Sequence, residues 1–194
     1  KTGGSNDIML FSNRGKAIRF NEYWEGSSDA DEAEEDGETD SLDTENGEEG
    51  DGVDNAAPKA NKGVRPSGRG SGGLRGMRLP ANGRIVSLIT FTPECEAQED
   101  LQVLTATANG YGKRTPIADY SRKGKGGQGN IAINTGERNG ELVAATLVAE
   151  SDDLMLITSG GVLIRTKVDQ IRETGRAAAG VKLINLDEGE TLVS

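Results

Sequence analysis

The sequence contains no histidine and only one cysteine (Cys95), and aromatic residues make up only 4% of it. Without histidine, the chain has neither the general base of a Ser-His-Asp triad nor the main nitrogen ligand of zinc sites. A single thiol cannot form an internal disulfide, and no apolar run is long enough to cross a membrane. So few aromatic rings also argue against a platform that stacks single-stranded bases. The sequence therefore predicts no catalytic residue, no metal site and no membrane segment.

The formal net charge of −10 misrepresents the chain, because the acidic residues are concentrated in one segment. Between Glu25 and Asp54 lie 15 of the 32 acidic residues and no lysine or arginine, so the remaining residues are net basic. A block of like charges without apolar periodicity cannot bury enough surface to fold. We therefore predict a disordered acidic insert over residues 25–62 within a basic domain.

Three segments of the sequence resemble one another, namely residues 8–20, 103–115 and 154–166. Each contains an apolar strand, a glycine turn and a second strand with an arginine four residues after the glycine. These pairs are Gly15 with Arg19, Gly110 with Arg114, and Gly161 with Arg165. A second recurring element begins at Gly73, Gly129 and Gly180, and the longer interval before Gly73 contains the acidic insert. The chain therefore consists of three β units, one of which is interrupted.

The spacing of 51 residues between Gly110 and Gly161 is typical of propeller blades, which are small antiparallel sheets that bury their faces against one another. We predict an all-β fold with a partial set of about three such blades. The first blade spans residues 6–24 and 63–92, the second 99–150, and the third, which is truncated, 151–194. Helical structure is expected to be minor, with residues 168–173 forming at most a single turn.

The stretch "SRKGKGGQGNIAI" (121–133) contains Gly124, Gly126 and Gly129 in the G-x-G-x-x-G spacing of a dinucleotide-binding turn. That motif binds a pyrophosphate where a helix follows, whereas an alternating, β-favouring segment follows here. The turn also carries three basic residues: Arg122, Lys123 and Lys125. Glycines and cations together allow backbone N–H groups and side chains to meet phosphates. The turn therefore indicates contact with a nucleic-acid backbone rather than a bound cofactor.

Similar cationic turns occur at residues 64–76 and 171–180, each before the second recurring element. On the strand that ends each repeat, alternation places Arg165 and Lys167 on one face, and by repetition we expect Arg19 and Arg114 to lie outside the blade core. Neither a recognition helix nor finger spacing is present, so electrostatic contact with a duplex backbone is the expected mode. The predicted contact residues are Arg19, Arg65, Arg69, Arg75, Lys113, Arg114, Arg122, Lys123, Lys125, Arg165, Lys167, Arg172 and Arg176.

Four segments, "ATANGYGKRT", "GERNGELVAA", "LMLITSGGVLIRT" and "GVKLINLDEGETLV", closely resemble the C-terminal domain of the DNA gyrase A protein. The resemblance covers nearly all of the chain outside the acidic insert. It implies a β-pinwheel whose blades exchange strands with their neighbours, with DNA wrapped around a basic rim, and a fragment holding roughly the last three blades. The Gln-Arg-Arg-Gly-Gly-Lys-Gly box of the family is not present, and "RKGKGGQG" occupies the equivalent turn of its own blade.

The resemblance also implies a function. The domain would bend duplex DNA so that a type II topoisomerase introduces negative supercoils, in a bacterial cytoplasm and close to the nucleoid. Its partners would be double-stranded DNA, the rest of the gyrase A protein and the gyrase B protein in an A2B2 complex. Catalysis, ATP and Mg²⁺ would belong to other parts of that complex, so no cofactor is expected in this fragment. Two alternatives remain: the equivalent domain of topoisomerase IV, and a propeller that binds proteins through its acidic insert.

Overall fold

The computed structural model describes residues 2–23, 63–97 and 101–193. The strands are β1 (Asp7–Ser12), β2 (Lys16–Asn21), β3 (Ile85–Phe91), β4 (Leu101–Thr107), β5 (Tyr111–Pro116), β6 (Asn130–Ile131), β7 (Leu142–Ala149), β8 (Asp153–Thr158), β9 (Leu163–Lys167), β10 (Val181–Lys182) and β11 (Leu192–Val193). The helical segments in these residues are short 3₁₀ turns at Pro93–Ala97, Ile117–Asp119 and Val168–Gln170. The predicted all-β fold is therefore confirmed. The described residues include no helix long and apolar enough to span a membrane.

The strands form three antiparallel sheets, ordered β3-β1-β2-β6, β10-β5-β4-β7 and β11-β8-β9. The hairpins β1–β2, β4–β5 and β8–β9 are the three repeated segments of the sequence. The turn glycines Gly15, Gly110 and Gly161 have positive φ angles of 70°, 79° and 85°. At Gly15 a side chain is also excluded by space, because a Cβ atom there would lie 2.2 Å from the carbonyl oxygen of Ile133. The repeated glycine thus serves both the turn and the close approach of a neighbouring segment.

Neighbouring units exchange strands. Strand β6 comes from the second sequence repeat but pairs with β2 of the first sheet, where Lys16 lies opposite Ile131. In the same way, β10 comes from the third repeat and pairs with β5 of the second sheet, where Val181 lies opposite Gly112. The first two sheets thus each contain a strand from the next sequence repeat. The acidic insert at residues 25–62 lies outside the described residues, and its disorder stays a prediction.

The hydrophobic core lies between successive sheets. One face of the first sheet packs against the second unit, and the corresponding face of the second sheet packs against the third. The first contact contains Met9, Phe11, Ala17, Ile117, Tyr120, Ile133 and Leu142. The second contact contains Leu104, Val148, Val168 and Ile171, with an adjoining cluster of Ala106, Leu156, Ile184 and Leu192. Each covering segment includes the 3₁₀ turn that follows a repeated hairpin, so the arginine-bearing strands β2 and β5 run beneath it.

Candidate nucleic-acid interface

Three of the predicted contact residues are buried. Arg19, Lys113 and Arg114 are 2%, 0% and 7% exposed. The expectation that Arg19 and Arg114 lie outside the core is wrong, because their face of the strand is the one that the next unit covers. Lys113 points to the opposite face and is covered by a turn of the third unit. A buried cation cannot reach a phosphate on a duplex, so these residues have a structural role.

Arg19 forms a buried ion pair with Asp7, which is 0% exposed. Its Nε donates to Asp7 Oδ2 at 2.7 Å, and Nη2 lies 2.5 Å from the same oxygen. The other end of the guanidinium donates to the carbonyl oxygens of Tyr120 at 2.9 Å and Ile117 at 3.4 Å. The arginine carbon Cζ also lies 5.1 Å from the ring centroid of Phe91. Arg19 therefore joins the first sheet to the segment of the second unit that covers it.

The same carboxylate binds a residue of the cationic turn. Nε of Arg122 donates to Asp7 Oδ2 at 2.8 Å, while Nδ2 of Asn21 donates to Oδ1 at 2.8 Å. Burial would raise the pKa of Asp7, but the hydrogen bonds from Asn21, Arg122 and Arg19 outweigh it and hold the pKa below the usual value. Arg122, whose side chain is 41% exposed, is thus partly engaged in this pair and only partly available to a phosphate.

The spacing of residues in the repeats contains a signal for this ion pair, which the pattern of cationic turns does not include. An aspartate stands twelve residues before the arginine in two repeats, at Asp7 and at Asp153, and Gln102 occupies that position in the second. Since antiparallel hairpins bring such positions together, the spacing alone indicates an ion pair. In the third sheet Arg165 indeed lies 2.5 Å from Asp153.

In the second sheet the equivalent arginine, Arg114, has different partners. Arg114 donates through Nε to the carbonyl oxygen of Ile171 at 2.5 Å, and through Nη2 to that of Asp169 at 3.4 Å. Its carboxylate partner is Glu150, at 3.1 Å, because a glutamine stands where the other repeats have aspartate. Arg114 thus joins the second sheet to the third unit, as Arg19 joins the first sheet to the second.

The other predicted cations lie at the surface. Lys125 and Arg176 are half-buried: Lys125 Nζ donates to the carbonyl oxygen of Gly63 at 2.8 Å, and Arg176 Nη1 donates to that of Ile131 at 2.9 Å. Those that are exposed are Arg65, Arg69, Arg75, Arg122, Lys123, Arg165, Lys167 and Arg172. Contact of these residues with DNA stays a prediction.

The structure brings two of the predicted cationic turns together at the outer edge of the first sheet. The backbone N–H of Lys123 donates to the carbonyl oxygen of Arg19 in β2 at 2.7 Å. A few residues on, Gly126 donates to the carbonyl of Gly76 and Arg78 donates to the carbonyl of Gly127, both at 2.8 Å. The chain at residues 76–78 and the cationic turn at residues 122–127 therefore lie at one edge, although they are distant in the sequence.

Next to this edge lies a cavity of about 440 Å³ that is lined by Arg78 and by two further cations, Arg14 and Lys16. Met77, Leu79 and Pro80 supply its apolar lining, and Ser12 and Gln128 complete it. Within the described residues, no carboxylate pairs with Lys16 or Arg78, and Arg14 lies 3.8 Å from Glu141. Sequence reasoning missed this cluster because its members come from two distant segments. The only sign of this cluster in the local sequence is the pair of basic residues, Arg14 and Lys16, that flanks Gly15.

The second sheet carries a smaller cationic cluster at the corresponding place. The guanidinium of Arg138 lies 4.4 Å from the ring centroid of Tyr111, and Lys182 Nζ lies 5.9 Å from it. Tyr111 is half-buried and occupies the repeat position of Lys16. No group of His, Cys, Asp or Glu suited to hold a metal ion occurs among the described residues.

Comparison with known proteins identifies the family. Residues 6–23, 62–92, 102–149 and 152–194 match the family model "DNA gyrase C-terminal domain, beta-propeller". The chain belongs to this family. The DNA gyrase A subunit of Neisseria gonorrhoeae is 76% identical to it over 194 residues, which are 100% of this chain and 21% of that relative. The resemblance to the gyrase A C-terminal domain is therefore confirmed, and the chain spans about a fifth of the relative's length.

Two solved structures show the fold of the gyrase C-terminal domain family at lower sequence identity. A gyrase A C-terminal domain superposes with a TM-score of 0.66 at 22% identity, covering 98% of this chain and 50% of that one. The C-terminal domain of a DNA topoisomerase IV superposes with a TM-score of 0.70 at 19% identity, covering 100% and 46%. These matches show a shared fold. The 76% identical relative is a gyrase A subunit, so sequence similarity favours gyrase over topoisomerase IV.

Proposed function

We propose that this domain binds duplex DNA along the outer edge of the first sheet and bends it for a gyrase. The observation that carries the proposal is the convergence of Arg75, Lys123 and the cavity cations Lys16 and Arg78 at one edge. Contact with phosphates follows from their charge, because duplex DNA is densely negative and releases counterions when cations replace them. Membership of the family, whose relatives are gyrase A proteins, supports the same conclusion.

The mode of binding that we propose is independent of base sequence. The described residues form sheets, turns and short 3₁₀ segments, with no helix that could enter a major groove. Any preference among sequences would then come from how easily the duplex bends. In the intact type II topoisomerase, the bent segment would be presented to the strand-passage gate. The rest of the gyrase A protein, together with gyrase B, would supply catalysis with ATP and Mg²⁺, in the bacterial cytoplasm.

The salt dependence of DNA binding tests this proposal. Replacing Lys16, Arg78 and Lys123 together with glutamine removes three exposed or half-buried charges of the edge. If each contacts a phosphate, the slope of log K against log salt flattens by about 2.7, or about 0.9 for each contact. The loss should be similar for unrelated duplexes, since phosphates carry no base information.

A matched control lies at the other end of the sheet. Arg84 precedes β3, the strand at the opposite edge from β6, and its charge is compensated by Glu141 at 3.0 Å, a carboxylate that also lies 3.8 Å from Arg14 of the cavity. The R84Q variant should leave the salt slope unchanged, whereas K123Q alone should flatten it by about 0.9. An unchanged slope in the triple variant would reject this edge as the DNA surface. Absence of salt-dependent DNA binding in the parent chain would favour the alternative of a protein-docking module.

A further inference from the structure

A lysine without solvent exposure lies at the junction between the second and third units. Lys113 of β5 is 0% exposed. Its Nζ donates to the carbonyl oxygen of Gly175 at 2.7 Å and also to that of Arg176. A buried ammonium is costly unless hydrogen bonds replace its hydration, so these two carbonyls are what makes the position tolerable. Both belong to the turn 174–179, which carries the cation Arg176.

The repeats show that this lysine is not required by the fold. The equivalent positions in the other units are Ile18 and Ile164. In the first unit the turn that lies over this position is "GKGGQG" (124–129), whereas in the second it is "GRAAAG" (175–180). An apolar side chain is thus sufficient to build the strand. The contacts of Lys113 with the turn of the third unit are therefore a feature that this unit does not share with the first.

The neighbours of Lys113 on β5 also bind the chain of the third unit. Thr115 Oγ1 donates to the carbonyl oxygen of Thr174 at 3.0 Å, and Arg114 binds the carbonyl of Ile171. In the first unit the residues that correspond to Lys113 and Thr115 are Ile18 and Phe20, which lie in an apolar cluster. The second sheet therefore holds its neighbour through three consecutive polar side chains, and Lys113 reaches furthest along the segment.

We propose that Lys113 is a positioning residue that fixes the turn 174–179 on the edge of the second sheet and directs Arg176 outward. The geometry supplies both effects. Two carbonyls of the turn converge on one ammonium, and the Arg176 guanidinium, whose like charge helps to lower the pKa of Lys113, donates to the carbonyl oxygen of Ile131. The consequence for DNA rests on the proposed function, since a fixed Arg176 presents its charge to a phosphate in one orientation.

Two other charged groups act on Lys113. Burial and the nearby Arg176 lower its pKa to about 8, while Asp119 opposes the shift. The ammonium is therefore charged at neutral pH. When it loses a proton, the neutral amine keeps two N–H donors, so both carbonyls can still be bound. As the pH rises, the turn therefore loses the positive charge beneath it but keeps both hydrogen bonds from Lys113.

Amide hydrogen exchange of the 194-residue chain tests the proposal directly. In K113M, which keeps an unbranched side chain and removes the donors, amides of residues 174–180 should exchange roughly 5- to 100-fold faster, the effect of two lost hydrogen bonds. I18M is the matched control at the same repeat position and should leave these amides unchanged. K113R keeps donors and should restore much of the protection. Equal exchange in K113M and the parent chain would overturn the proposal.

DNA binding separates this proposal from the function on which it rests. Faster exchange in K113M together with a weaker, salt-dependent DNA affinity supports both. Faster exchange with unchanged affinity supports the positioning role and rejects contact between this turn and DNA.

If K113M does not fold, the parent chain still decides the question. The ¹³Cε resonance of Lys113 should titrate with a midpoint near 8. A midpoint close to the usual lysine value of 10.5 would show a hydrated amine and reject the proposal.

Discussion

The first and third sheets contain the same ion pair in two environments. Asp7 with Arg19 and Asp153 with Arg165 have equal spacing in the sequence and equivalent places on their hairpins. In the first sheet the two side chains are 0% and 1% exposed, because the segment around Ile117 to Arg122 covers them. In the third sheet they are 35% and 69% exposed, and no described segment lies over them.

This difference shows that the repeat encodes the pair while the neighbouring unit decides its strength. A buried carboxylate depends on its partners, since water does not replace a lost one, and its removal leaves an unpaired charge in the interior. An exposed pair is hydrated and screened, so its net contribution is small. The same two residue types therefore hold the first two units together, and they are exposed in the third, where no described segment of a following unit covers them.

The largest expected effect comes from neutralising the buried carboxylate. D7N leaves Arg19 without its charge partner and should lower the free energy of unfolding by about 3–5 kcal/mol. The matched variant D153N acts on the exposed pair and should leave the unfolding midpoint nearly unchanged. Urea denaturation followed by circular dichroism compares the two. Similar losses in both variants would mean that burial does not distinguish the pairs.

Acid should separate the two environments as well. The pKa of Asp7 is lowered in the folded chain, so its contribution is fully present above the usual aspartate value of 3.8 and is lost as pH falls through the lowered pKa. The unfolding free energy of the parent chain should therefore fall more steeply below pH 3.8 than that of D7N. A parallel decline of both proteins would contradict the assignment.

At Lys113 stability should also rise with pH, but because the folded chain favours the neutral form of the lysine rather than the charged form. Its pKa is lowered to about 8 from 10.5, so the folded chain releases its proton before the unfolded chain does. Stability at this site is complete above about pH 10.5 and is lost as pH falls through about 8. The parent chain should therefore gain stability between about pH 8 and 10.5, relative to K113M. The absence of histidine removes other side chains that would titrate just below this range.

The smallest expected effect concerns DNA. Arg165 is exposed and is a candidate for phosphate contact, whereas Arg19 is enclosed. R165A should flatten the salt slope of DNA binding by no more than about 0.9. The R19K variant, measured under conditions in which it is folded, should show the same salt slope of DNA binding as the parent chain. A larger change in R19K than in R165A would reverse the comparison between the sheets.

Much of the fold was predictable because the repeats are local. The alternation of apolar residues and the turn glycines mark the three hairpins, and all three form. Strand alternation also tells which residues share a face. It does not tell which face is covered, because that depends on a segment that is distant in the sequence. This is why Arg19 and Arg114 were expected at the surface and lie in the interior.

The candidate site was predictable only in part, for a related reason. The cationic turn at residues 122–125 is evident from composition, since glycines and bases are adjacent in the sequence. The cavity formed by Arg14, Lys16 and Arg78 is not, because hydrogen bonds between Gly126 and Gly76 and between Arg78 and Gly127 create the edge beside it. Residue type alone also does not predict that the side chain of Lys113 is buried.

Strand exchange also has a consequence for how this chain is made. Arg122 meets Asp7 across 115 residues of sequence, and β6 follows shortly afterwards. A ribosome that adds about 5–20 residues per second needs roughly 6 to 23 seconds to supply that stretch. Until that segment is available, the first hairpin has an unfinished edge and an uncovered Asp7. Before the second unit is synthesised, a chaperone or a neighbouring nascent chain can therefore bind the unpaired edge of the first sheet.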